Sequence, residues 1–126
     1  MARLSDELLE RSESFSDRML DVADALEQRH VSRRILDQIS ACGTSVGANA
    51  YEGDEAMTRK DFVKSLGVVV KELAESRFWL RLAGRREWIS ADRLAPLIDE
   101  SMELRRIFGT MIVRTRAAPD RQHPSG

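Results

Sequence analysis

The chain has 126 residues, 42% hydrophobic and 33% charged, with three prolines and seven glycines; that suffices for one domain with a core and is too little for two. No apolar run approaches the roughly 20 residues of a bilayer-spanning helix, Met1-Ala2-Arg3-Leu4-Ser5-Asp6 leads into acids rather than an apolar signal core, and the single Cys42 excludes an internal disulfide and a cysteine-based zinc site. A cytoplasmic protein without membrane association is therefore expected. The net charge of −1 is unevenly divided: residues 1–63 hold 8 Lys and Arg against 13 Asp and Glu, and residues 64–126 hold 12 against 8. Such halves can pair within a bundle or between subunits.

From about Ser5 to Leu26, Leu8, Phe15, Met19, Val22, Ala23 and Leu26 recur at helical spacing, with Asp17, Asp21 and Asp24 on other faces. This predicts an amphipathic first helix with an acidic exterior, capped by Ser5 or Asp6. After Gln28-Arg29-His30 the spacing of Val31, Ile35, Ile39, Cys42, Val46 and Asn49 predicts a second helix. Gly43, Gly47 and Ala48 thin its surface for close approach, and Gly53 is the expected stop. Thr58 caps a third, in which Phe62, Leu66, Val69, Leu73, Ser76, Leu80 and Ala83 alternate steps of four and three. At 1.5 Å per residue that helix would run roughly 37 Å before ending at Gly84. Ser90 or Asp92 opens a fourth, with Pro96 expected in its first turn and Leu94, Leu97, Ile98, Ser101, Leu104, Phe108, Met111 and Ile112 as its apolar stripe. No strand pattern competes. The expected fold is all-α, an antiparallel up-down-up-down four-helix bundle over residues 1–116 with a disordered tail over 117–126.

The second helix carries an anomaly at Ser45-Val46-Gly47-Ala48-Asn49-Ala50-Tyr51-Glu52-Gly53. Ser45, Asn49 and Glu52 form a polar stripe beside Ile35, Ile39, Cys42 and Val46. Left unpaired and buried, each such group would cost about 1–3 kcal/mol, so a helix, a subunit or a ligand must answer it. The expected answer is a polar network or interface of Ser45, Asn49, Glu52, Glu72 and Glu75, with Trp79 beside the third-helix seam as a core or subunit contact. Arg77, Arg81, Arg85 and Arg86 lie near Phe78, Trp79 and Trp88. Arginine with aromatics suits nucleic-acid contact, but suits a protein interface better where no basic surplus exists.

Catalytic readings are weaker. Glu52 with Glu55 and Glu72 with Glu75 could chelate magnesium, resembling the acidic motifs of all-helical nucleotide pyrophosphohydrolases, yet Gly53-Asp54 is expected to end the helix between the first pair. A ferritin-like di-iron site would want Glu-x-x-His pairs, and the two histidines are His30, read as a solvated helix-end residue, and His123. Cys42 and Ser45 have no histidine at plausible spacing, and no glycine-rich phosphate loop follows a strand. No catalytic residue, cofactor or metal site is expected.

Ser45 to Gly53, Asp61-Phe62-Val63, the run Lys71 to Leu80, and Glu103-Leu104-Arg105-Arg106-Ile107-Phe108 through Met111-Ile112 together resemble the bacterial 23S rRNA-intervening sequence protein family. The resemblance covers nearly the whole chain except the tail. It implies an up-down four-helix bundle assembling into a homopentameric ring, encoded in some bacteria within inserts of the large ribosomal RNA gene, with no assigned biochemical role. A related branch, the accessory variability determinant of diversity-generating retroelements, binds nucleic acid and a reverse transcriptase through a strongly basic surface; with a net charge of −1 this chain departs from that pattern. The expectation is a homo-oligomeric scaffold without catalysis, the alternative a nucleic-acid-binding accessory factor, and the third option the magnesium-dependent hydrolase. Protein or nucleic-acid partners are left open.

Overall fold

The structure, a computed structural model, describes residues 3–119. Four helices follow in order: α1 (Asp6–Gln28), α2 (Arg33–Asp54), α3 (Arg59–Arg85) and α4 (Ala91–Ala117). No strand occurs among the described residues. Each connection is only a few residues long, so successive helices run antiparallel and pack as neighbours. The contacts α1–α2, α2–α3 and α3–α4 are extensive, whereas α1 and α4 meet more sparsely. That last seam is bridged by Arg11, whose Nε and Nη2 donate to Glu100 at 3.0 and 2.8 Å. Of the expected tail, Ala117 ends α4, and residues 120–126 lie outside the described part.

Phe15, Met19, Leu26, Ile39, Val46, Phe62, Leu66, Val69, Leu73, Leu80, Leu104 and Phe108 fill the core. Three serines share it. Ser12 Oγ donates to the Leu8 carbonyl and Ser101 Oγ to that of Ile98, while Ser76 Oγ donates to Cys42 Sγ at 3.5 Å. Each buried hydroxyl is thereby satisfied.

Ser5, Ser32 and Thr58 are side-chain N-caps, accepting from the amides of Leu8, Ile35 and Asp61. Ser90 holds the N-cap position of α4 without a side-chain bond. Three local expectations are corrected. α2 ends at Gly53-Asp54 as expected, with Gly53 buried where a Cβ would lie 3.2 Å from Leu66 Cδ2. Gly84 lies inside α3, which runs on to Arg85. α1 and α3 turn out at His30 and Glu87, both in the left-handed region at φ 61° and 59°. In each turn the next two amides bond back to the final helical turn: His30 and Val31 to the carbonyls of Glu27 and Leu26, Glu87 and Trp88 to those of Gly84 and Ala83. Pro96 sits in the second turn of α4, because the helix opens at Ala91; its exposed position leaves the freed Asp92 carbonyl on the solvent side. In α2 the buried face carries Leu36, Ala50 and Gly53, and Ile35 is only half-buried.

Candidate functional site

The α2–α3 seam carries the polar stripe. Gly53 against Leu66 near one end and Cys42 against Ser76 in the middle fix the antiparallel register. That register sets Ser45 and Asn49 on the same flank as Glu72, Glu75 and Trp79. All five are half-buried. Ser45 and Asn49 meet as expected: Asn49 Nδ2 donates to the Ser45 carbonyl at 2.9 Å and to Ser45 Oγ at 2.8 Å. Glu75 Oε2 accepts from Trp79 Nε1 at 3.2 Å. Both sets of bonds stay within one helix, at i to i+4, and no bond joins the two groups across the seam.

Glu72 shares this flank with no bonded partner among the described residues. Burial, and secondarily the neighbouring Glu75 carboxylate, raises its carboxyl above the ordinary 4.5, with Lys71 opposing. Burial also pushes the Cys42 thiol up to about 11, despite the hydrogen bond from Ser76. A thiol so placed is a core residue rather than a nucleophile. Glu52 stands apart, exposed, lining an open groove of about 440 Å³ with Asn49, Glu55 and Asp61 at the α2–α3 turn. Glu72 and Glu75 do not line it. Among the described residues no three His, Cys, Asp or Glu side chains gather as metal ligands would.

Of the arginines, Arg81, Arg85 and Arg86 are exposed while Arg77 is half-buried. Arg86 lies over the Trp88 ring, 5.9 Å from its centroid. Phe78 is 55% exposed and meets Trp79 edge-on at 5.0 Å. Sequence reasoning missed that the outward face of α3 also includes Lys60, Lys64 and Lys71. The steps of four and seven between these lysines would have revealed it. It also missed what answers the α2 glycines. A Cβ at Gly43 would lie 2.4 Å from Met19 Cβ, and Ser16 occupies the space over Gly47.

No helix among the described residues is long and apolar enough to cross a membrane. The sequence matches the 23S rRNA-intervening sequence protein family over residues 6–110. A solved structure, that of a protein of unknown function from the S23 ribosomal protein family of Bacteroides thetaiotaomicron, is 28% identical. The match covers 86% of this chain and 96% of that one, with a TM-score of 0.79. No match is found among curated proteins. A four-helix fold whose elements span the matched region, together with that match, shows that the chain belongs to the 23S rRNA-intervening sequence protein family.

Proposed function

We propose that this protein is a non-catalytic, homo-oligomeric scaffold, a pentameric ring by resemblance to its family. The observation that carries the reading is the half-buried flank of Ser45, Asn49, Glu72, Glu75 and Trp79, whose hydrogen bonds are all local. Groups held in fixed rotamers by i to i+4 bonds, yet half open, suit a protein surface that sets the register of a neighbouring subunit. Glu52, at the exposed end of the stripe, extends that surface towards the α2–α3 turn. The test is to make Asn49→Ala and Glu75→Ala and measure thermal stability and assembly mass. A change in mass in either variant supports the role. Stability and mass both unchanged would remove it.

A second reading, a nucleic-acid-binding accessory factor, draws on the exposed Arg81 and Arg85 beside Phe78. It predicts that the purified protein retains RNA or DNA and that an Arg81→Ala, Arg85→Ala variant does not. Absence of retained nucleic acid in the parent ends it.

A further inference from the structure

The outward faces of α1 and α3 are opposites. Within Asp6–Gln28, α1 carries eight Asp and Glu against Arg11 and Arg18. Its exposed residues include Glu10, Glu13, Asp17, Asp21, Asp24 and Glu27, and among them Leu20 is 38% exposed. On α3 the exposed residues include Lys60, Lys64, Lys71, Arg81 and Arg85, and among them stands Phe78. Among the described residues none of those five cations is in an ion pair, and of the α1 acids only Glu27 is, with Arg33. α1 and α3 are not sequential neighbours in the bundle, so these faces point away from each other and cannot neutralise one another within one chain.

The heights also match. Met19 packs on Gly43, and the adjacent Cys42 meets Ser76, which puts Met19 and Ser76 in one layer. At the end of the bundle Arg29 Nη2 reaches the Glu87 carbonyl at 3.5 Å, which agrees with that offset to within one residue. Leu20 and Phe78 therefore lie at about one height on different sides of the molecule. In the same offset Glu13 stands level with Lys71 and Glu27 with Arg85.

We infer that the acidic face of α1 in one copy docks on the basic face of α3 in the next, with Leu20 against Phe78 at its centre. This rests on the homo-oligomer reading and adds a contact beside the α2–α3 flank of Ser45, Asn49, Glu72, Glu75 and Trp79. A patch meeting a different patch is a heterologous contact, which builds a ring when its rotation closes. Because both helices run in the same direction along the bundle, copies related by rotation about an axis parallel to it bring Leu20 to Phe78 without a shift. Apolar residues flanked by complementary charge provide the desolvated centre and the polar rim of such an interface.

The test uses charge reversal on each face of the full chain, with helicity checked by circular dichroism and mass by light scattering after size exclusion. Lys71→Glu with Arg81→Glu, and separately Asp17→Lys with Asp24→Lys, should each yield folded monomers. A chain carrying all four changes has reversed charges on both sides of the contact and should recover parent-mass assembly that neither double variant shows, which a merely destabilised fold would not do. If the parent is assembled but both double variants keep its mass, the homo-oligomer reading stands and this interface falls. If the parent is itself monomeric, both fall. If Lys71→Glu with Arg81→Glu releases bound RNA or DNA while leaving the assembly intact, the α3 face serves nucleic acid and the inference is overturned.

Discussion

Ser16 of α1 is inserted into the backbone of α2 at Gly47: its Oγ accepts from the Gly47 amide at 2.9 Å and donates to the Gly43 carbonyl at 2.7 Å. The hydroxyl thus sits between a donor and an acceptor four residues apart, the pair that a helix normally joins directly. The helices can come this close because Gly43 and Gly47 lack side chains where Met19 and Ser16 lie. Ser16→Ala should destabilise the protein by about 1 kcal/mol. Gly43→Ala should cost more, up to about 3 kcal/mol, since the added methyl meets the Met19 stem near its backbone. Gly109→Ala, with nothing within 4 Å of the new methyl, should instead stabilise by up to about 1 kcal/mol through helix propensity. Urea unfolding of the three variants checks the order.

His30 and Glu87 hold left-handed backbone without being glycine. For an L residue that conformation costs roughly 1–2 kcal/mol. His30→Gly and Glu87→Gly should each recover roughly 1 kcal/mol, seen as a higher midpoint of thermal unfolding. A lower midpoint would mean that the side chains contribute more than the strain they impose.

Burial raises the Glu72 carboxyl above 4.5 in the folded protein. Below 4.5 the group is protonated in folded and unfolded chains alike, and no penalty arises. As pH rises through 4.5 the unfolded chain ionises first, so the unfolded state binds fewer protons and stability falls until the folded group has also ionised. Glu72→Gln should therefore stabilise the protein at neutral pH, with the gain fading as pH drops below 4.5. Unfolding midpoints at pH 4 and pH 7 measure it. The same variant bears on the hydrolase option, which requires loss of magnesium-dependent turnover on this substitution.

Cys42, with its thiol at about 11 and its side chain buried, should resist a water-soluble disulfide reagent in the native protein. Labelling should rise only as the bundle unfolds. Rapid native labelling would show that the α2–α3 seam opens locally around Ser76 and Cys42.

The third helix was the most legible element: all seven residues of its four-and-three pattern, from Phe62 to Ala83, are buried. The second was harder, because Ile35 and Leu36 are adjacent aliphatics and periodicity alone does not decide which of them is buried. Its glycines add no hydrophobic signal of their own. The end of α3 is misread by sequence because Gly84 offers an obvious stop, whereas the turn that leaves the helix uses Glu87 and Gly84 lies within α3 close to Leu94. The stripe of Ser45 and Asn49 was readable as a stripe. Its bonding was not, because an i to i+4 bond within a helix and a bond across the seam answer the same polar groups. The α3 cations were partly visible as Arg81 and Arg85, but the uninterrupted outer face emerges only once burial separates Lys60, Lys64 and Lys71 from Arg77.

Native mass spectrometry of the purified protein tests the assembly directly, as one spectrum reports the number of 14.3 kDa chains and any retained nucleic acid. A single species of five chains without RNA or DNA is the expected result. A monomer at every concentration tried would contradict the scaffold.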